Sequence, residues 1–298
     1  MTRDTPIGKP SRVGEASLFG GGEVHVGQDV GGRELQVTAD AVERYRAGTA
    51  SDVDTAPAAP ALAFHSECYR DLSWYLPNLI GNLHARQEWE LFHPLRVGDT
   101  VRSRTTVVER YRKRDRNYVV AEVLVTDADG RWLQRSRTHQ SFLAHTPADE
   151  LVVDRDRERR ADRRFDLPAG DGETMALAPR TITHAMCQAF SGPSRNYHTD
   201  VEMARALGFP DIVVQGMMSV CFVADLMTAA YGAGFLAGGK LDVRLVNVVW
   251  PGDAITARGK VREVTVEGSR RRAHVDVWCA KGDGTVTVVG TASALRAA

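Results

Sequence analysis

The spacing of apolar positions along the chain changes character several times, and it does so in the same order twice. Glu23 to Thr38 sets turn residues between short apolar stretches and predicts an opening strand. Thr38-Ala-Asp-Ala-Val-Glu-Arg-Tyr45 then begins on a hydroxyl residue and continues at helical spacing, the pattern of a capped helix. Residues 47–61 are small, with prolines and alanines unsuited to regular structure. His65 to Leu76 returns to helical spacing, with Cys68, Leu72 and Tyr75 near one face, and Pro77 stops it. From Leu83 to Phe142 apolar residues alternate with charged ones, in four runs broken by turns such as Ala128-Asp129-Gly130. That period of two predicts an antiparallel sheet with one wet face.

The second half repeats this plan. Thr38-Ala-Asp-Ala lines up with Thr183-His-Ala-Met, and Arg96-Val-Gly-Asp-Thr with Trp250-Pro-Gly-Asp-Ala. Asp127-Ala-Asp-Gly likewise lines up with Lys281-Gly-Asp-Gly. Helix, loop, central helix and strands twice in one order is an internal duplication. The fold class is α+β, one helix against a curved antiparallel sheet in each copy. The expected divisions are a mobile arm over 1–16, a first copy over 17–146, a charge-dense linker over 147–170 and a second copy over 171–298.

Composition changes this picture little. Of 298 residues, 43% are hydrophobic and 26% charged, enough apolar material for two cores. Lys plus Arg (38) equals Asp plus Glu (38), which gives no push toward nucleic acid or anionic membrane. No apolar run approaches a membrane span, and the N-terminus lacks a signal peptide's apolar core. Cys68, Cys187, Cys221 and Cys279 are widely spaced in apolar surroundings, which suits buried free thiols and a cytoplasmic location. The basic run Arg110 to Arg116 is read as a solvated hairpin turn.

Candidate chemistry concentrates between Cys187 and Tyr231. His198 stands in a polar Gly/Pro/Ser/Asn loop, where a base can be presented to a ligand. Gly216 follows the apolar run Ile212-Val213-Val214, taken as a strand, and opens a mostly apolar helix. Free N–H groups at such a helix start can hold a developing oxyanion. Arg195 and Asn196 are the polar neighbours suited to a ligand oxygen or a water, and loop hydrogen bonding explains them equally well. Ser219, one turn into the helix, faces a pocket or packs. Thr199-Asp200-Val-Glu202 fits a helix cap better than an acid pair. Gly234 to Lys240 falls one residue short of a phosphate loop, and the pair His184 and Cys187 lacks the partners of a metal site. No metal or redox cofactor is called for.

The segment SGPSRNYHTDVEMARALGFPDIVVQGMM resembles the signature of the MaoC-like, type-2 enoyl-CoA hydratases and dehydratases. Gly81 to Asp99 is similar to the degenerate N-terminal copy of that family's two-domain members. The resemblance implies a double hotdog, two tandem hotdog domains, acting on an enoyl or 3-hydroxyacyl thioester of coenzyme A or an acyl carrier protein. Ser191, Gly192, His198, Asp200 and Gly216-Met217 match the family's pattern, whereas Pro193 occupies the catalytic aspartate's position. On this basis His198, Asn196 and Gly216 are expected to be catalytic, with Arg195, Tyr197, Ser219 and Met217 binding substrate. An acid supplied by the first copy, from Asp52, Asp54 or Glu67, is a further expectation. Loss of the aspartate leaves room for a different addition, elimination, cyclisation or hydrolysis on a thioester, or for a non-catalytic acyl-binding subunit. A homodimer of double hotdogs is compatible with the duplication.

Overall fold

A computed structural model describes residues 24–70, 83–113, 116–143, 162–168 and 171–296. The expected arm, the stop at Pro77 and most of the linker lie outside these residues. The first copy contains β1 (Asp29–Gln36), α1 (Ala39–Thr49), α2 (Glu67–Arg70), β2 (Leu83–Leu91), β3 (Thr100–Lys113), β4 (Arg116–Thr126) and β5 (Trp132–Leu143). The second contains β6 (Thr174–Ala176), β7 (Arg180–Thr181), α3 (His184–Ser191), α4 (Val201–Ala206), α5 (Gly216–Tyr231) and α6 (Ala233–Leu236). It closes with β8 (Lys240–Leu245), β9 (Ala254–Glu267), β10 (Arg270–Lys281) and β11 (Val286–Arg296).

All these strands join one antiparallel sheet, ordered β1-β3-β4-β5-β2-β8-β11-β10-β9-β6, with β7 also on β9. Outward from the β2–β8 seam, the strands on the two sides correspond one to one. The duplication is thus a pseudo-twofold, and the sheet crosses it through Gln87↔Val243 and Trp89↔Leu241. The architecture is the expected α+β double hotdog.

The aligned sequence motifs do the same local work in both copies. Thr38 caps α1 by accepting from the Ala41 N–H, and Thr183 caps α3 by accepting from Met186. In the Arg96–Asp99 turn the Asp99 carboxylate accepts the Arg96 N–H at 2.9 Å, and Asp253 does this for Trp250 at 2.9 Å. Gly98 and Gly252 hold φ of 99° and 93° in those turns, a region costly for any side chain.

Helix α5 is the core of the second copy. Every residue from Met217 to Thr228 is buried, as expected for a helix apolar all round. Each fully covered Met, Leu or Phe contributes about 1.5–3 kcal/mol. The inward residues of β2 and β8, Trp89, Leu91, Leu241 and Val243, join the same cluster, so the two copies share a core. Their outward neighbours are charged, and Arg86 Nε donates to Asp242 Oδ1 at 2.6 Å across the seam.

Helices α1 and α3 meet closely across the pseudo-twofold. A Cβ on Gly48 would lie 2.8 Å from Phe190 Cβ, so only glycine permits this approach. Beside it Asp225 of α5 accepts from Tyr45 Oη of α1 at 3.0 Å and from Arg180 Nη1 at 2.7 Å. The Arg180 guanidinium also lies over the Phe222 ring, 4.9 Å from its centroid. Burial pushes the Asp225 carboxyl above the usual range, while Arg180 and Tyr45 pull it back.

Two local expectations need correction. Ile212–Val214 is not a strand: it runs alone, with Val214 donating to Val249 O at 3.1 Å and no ladder beside it. The cap of α4 is Asp200 rather than Thr199, because the Thr199 hydroxyl is engaged by the loop before it. At the end of the linker Asn247 bonds Arg163 N and O at 3.0 Å each, and Phe165 packs on the cluster of Trp278, Ala280 and Val286. The four cysteines are buried and free, as expected.

Candidate active site

The loop from Ser191 to Asp200 leaves the end of α3 and is folded by its own polar side chains. Asn196 is its centre. Its amide nitrogen donates to Ser191 O at 3.1 Å and Ser194 O at 3.0 Å, and its oxygen accepts the His198 N–H at 2.8 Å. Thr199 closes the turn through Asn196 N at 3.0 Å and Ser194 O at 3.1 Å.

This loop is tied to the entrance of α5. Val213 N donates to Tyr197 O at 3.2 Å, and Ser191 Oγ lies 3.3 Å from Oε1 of Gln215, the residue at the helix cap. The deciding contact is His198 Nδ1 to Val213 O, at 2.6 Å. A carbonyl only accepts, so Nδ1 carries the hydrogen and Nε2 keeps its lone pair. Burial lowers the imidazole to about 4, partly opposed by the Val213 carbonyl, so the ring is neutral at pH 7. Among the described residues nothing hydrogen-bonds to Nε2. The Tyr197 ring walls the imidazole, 3.9 Å between centroids, and burial raises its phenol so that it stays neutral.

Three residues after Val213 begins α5. No side chain caps it; Met218 N donates back to Gln215 O at 2.9 Å, and among the described residues the Gly216 and Met217 N–H groups have no acceptor. Gly216 is also where the helix passes close to β8: a Cβ there would meet Leu245 Cδ2 at 1.9 Å. The carbonyl that holds the neutral His198 imidazole therefore lies three residues before the start of α5. That pairing suits proton transfer beside a carbonyl that takes up negative charge.

Other expected site residues have different work. The Asn196 side chain is engaged by the loop, which makes it a shaping group there. Arg195 is exposed and bonded to Asp200 at 2.6 Å, with Glu202 3.5 Å away. The Met217 side chain is fully buried in the core cluster. Ser219 is buried within α5, its carbonyl accepting from Cys279 Sγ at 3.4 Å.

The acids considered in the first copy are placed elsewhere. Asp52 is exposed and 3.9 Å from Arg180, while Asp54 accepts the Ala56 N–H at 2.9 Å. Glu67 is buried against Arg33 and Ser103. A cleft of about 470 Å³ opens on the charged face of the seam, lined by Glu88, Glu90, Arg135, Lys240 and Arg272 among others. Those charges pair with one another, Lys240 with Glu90 at 3.4 Å and Arg272 with Glu267 at 2.8 Å, and none belongs to the His198 loop.

Residues 170–281 match the family described as the MaoC like domain. The family match is to that stretch, 112 of the 298 residues. It holds the His198 loop, the Gly216 helix start and most of the second copy's sheet. The peroxisomal hydratase-dehydrogenase-epimerase of Saccharomyces cerevisiae is 28% identical over 116 residues. Those residues are 39% of this chain and only 12% of the yeast protein. A MaoC-like dehydratase from Phytophthora capsici superposes with a TM-score of 0.65 at 18% identity, covering 91% of this chain and 97% of that one. A conserved hypothetical protein from Mycobacterium tuberculosis with a double hotdog fold gives a TM-score of 0.58 at 10% identity, covering 96% and 99%. At these identities the structures share the fold, and the MaoC-like domain carries the local likeness.

Proposed function

We propose that the MaoC-like domain adds water to an enoyl thioester, or removes it from a 3-hydroxyacyl thioester, carried on coenzyme A or an acyl carrier protein. The observation that carries the proposal is the His198–Val213 bond, which fixes a neutral imidazole with its lone pair on Nε2 and ties it to the segment leading into an uncapped helix start. The names of the yeast hydratase-dehydrogenase-epimerase and the Phytophthora dehydratase support the same chemistry.

In the hydration direction Nε2 takes a proton from water as the oxygen bonds to C3. The C2=C3 electron pair moves toward the thioester carbonyl, whose oxygen becomes the enolate oxygen held by N–H groups at Gly216 and Met217. The imidazolium then returns the proton to C2, and water has been added with no proton left over. One histidine acts in turn as base and acid because Pro193 transfers no proton and Asp200 is engaged as a cap. Crotonyl-CoA incubated with the protein in ²H₂O tests this by NMR. The account predicts a hydroxyl at C3 and one deuterium at C2; a folded protein that leaves the enoyl group intact overturns it.

Pro193 supports one other reading, in which the same thioester site performs another addition, elimination, cyclisation or hydrolysis. Binding of crotonyl-CoA without hydration, together with conversion of a different acyl thioester, favours that reading.

A further inference from the structure

The first copy contributes a histidine to the base of the His198 loop. His65 is 6% exposed, and its ring lies flat on Phe190, with centroids 3.9 Å apart and planes at 15°. Its Nε2 is 3.4 Å from the Phe190 carbonyl oxygen, at the long end for a hydrogen bond. Because a carbonyl only accepts, Nε2 carries the hydrogen, which leaves Nδ1 buried without a partner. A phenyl ring would stack here equally well and avoid that orphaned nitrogen. Simple packing therefore does not account for an imidazole at this place; the N–H aimed at Phe190 O does.

Phe190 lies in the last turn of α3, from which the site loop departs. Gly48 of α1 abuts its backbone on one side and His65 covers its ring on the other. The next residue, Ser191, offers its carbonyl to Asn196 Nδ2 at 3.1 Å, and Asn196 Oδ1 accepts the His198 N–H at 2.8 Å. A short series of contacts thus runs from His65 through Phe190, Ser191 and Asn196 to His198.

We propose that His65 is a positioning residue, holding the His198 loop in register from across the pseudo-twofold. The proposal rests on the hydratase reading only for its kinetic consequence; the geometry of His198 can be observed without turnover. It also gives the first copy, which has no counterpart to His198, a definite part in the site.

The test compares the full chain with His65→Phe, which keeps the stacking and removes the donor, and His65→Gln, which restores an N–H near the Nε2 position. ¹⁵N-histidine NMR reads the His198 ring, and crotonyl-CoA hydration reads kcat and KM. His65→Phe is expected to shift the His198 ring signals and to lower kcat about tenfold with KM nearly unchanged. His65→Gln is expected to restore both. Unchanged His198 signals in His65→Phe overturn the proposal, as does equal impairment of the Phe and Gln variants in folded protein. Where His65→Phe does not fold, wild-type His198 signals and kcat in His65→Gln support the proposal, and shifted signals there overturn it. If the wild-type protein does not hydrate crotonyl-CoA while the His198 signals respond as expected, the hydratase reading fails and the positioning role stands.

Discussion

His198 Nδ1 lies 2.6 Å from the carbonyl oxygen of Val213, three residues before the glycine that opens α5. This contact selects one tautomer, leaves the other nitrogen its lone pair and ties the ring to the segment that leads into α5. Burial disfavours the charged form of the ring, and the bond to Val213 O partly opposes that.

His65, His84 and His198 are all lowered to about 4 by burial, from an ordinary value of 6.5. The unfolded chain therefore takes up these protons before the folded one does. Stability is fully present above about pH 6.5 and falls as the pH drops toward 4, by on the order of 3 kcal/mol for each histidine. Urea midpoints at pH 7, 5.5 and 4.5 should decline in that order, and His84→Gln should flatten the slope. A midpoint constant over that window contradicts the assignment.

Asp225 and Arg180 are 5% and 9% exposed in their side chains, and Tyr45 joins them from the other copy. Arg180→Met leaves a buried carboxylate without its cation and is expected to cost about 3–5 kcal/mol. The double variant Arg180→Met with Asp225→Leu should recover much of that loss, since no charge remains to be desolvated. Denaturant titration of the wild type, the single and the double variants decides the point. An Arg180→Met protein as stable as wild type would show that the pair carries nothing.

Asn196 and Arg195 separate a shaping residue from a surface one. Asn196→Ala removes three hydrogen bonds within the loop and should lower both the thermal midpoint and any thioester turnover. Arg195→Ala breaks an exposed ion pair worth about 0.2–1 kcal/mol and should leave turnover within about twofold. The reverse ranking would return Arg195 to the site.

The scaffold was legible in the sequence because its signals are local and occur twice. Thr38 and Thr183 cap, Asp99 and Asp253 turn, and the alternation from Leu83 to Phe142 marks strands, each by rules that act within a few residues. His198 and Gly216 stood out for the same reason, one in a polar loop and the other at a helix start. Pairings across the pseudo-twofold were not legible: His65 meets Phe190 and Tyr45 meets Asp225 over separations of 125 and 180 residues. For Asn196 the composition signal is the same whether the amide folds its own loop or reaches a ligand, and only the coordinates show the loop bonds. Ile212–Val214 misled because an apolar run of that length fits a strand and a buried extended segment alike.

The central claim is that the open nitrogen of His198 moves the proton. Steady-state hydration of crotonyl-CoA by wild type and by His198→Gln, at pH 7 with equal folded content, tests it most directly. The account predicts measurable turnover by the wild type and a fall in kcat/KM of about 10²–10⁴ in the variant. Equal rates in the two proteins would contradict it.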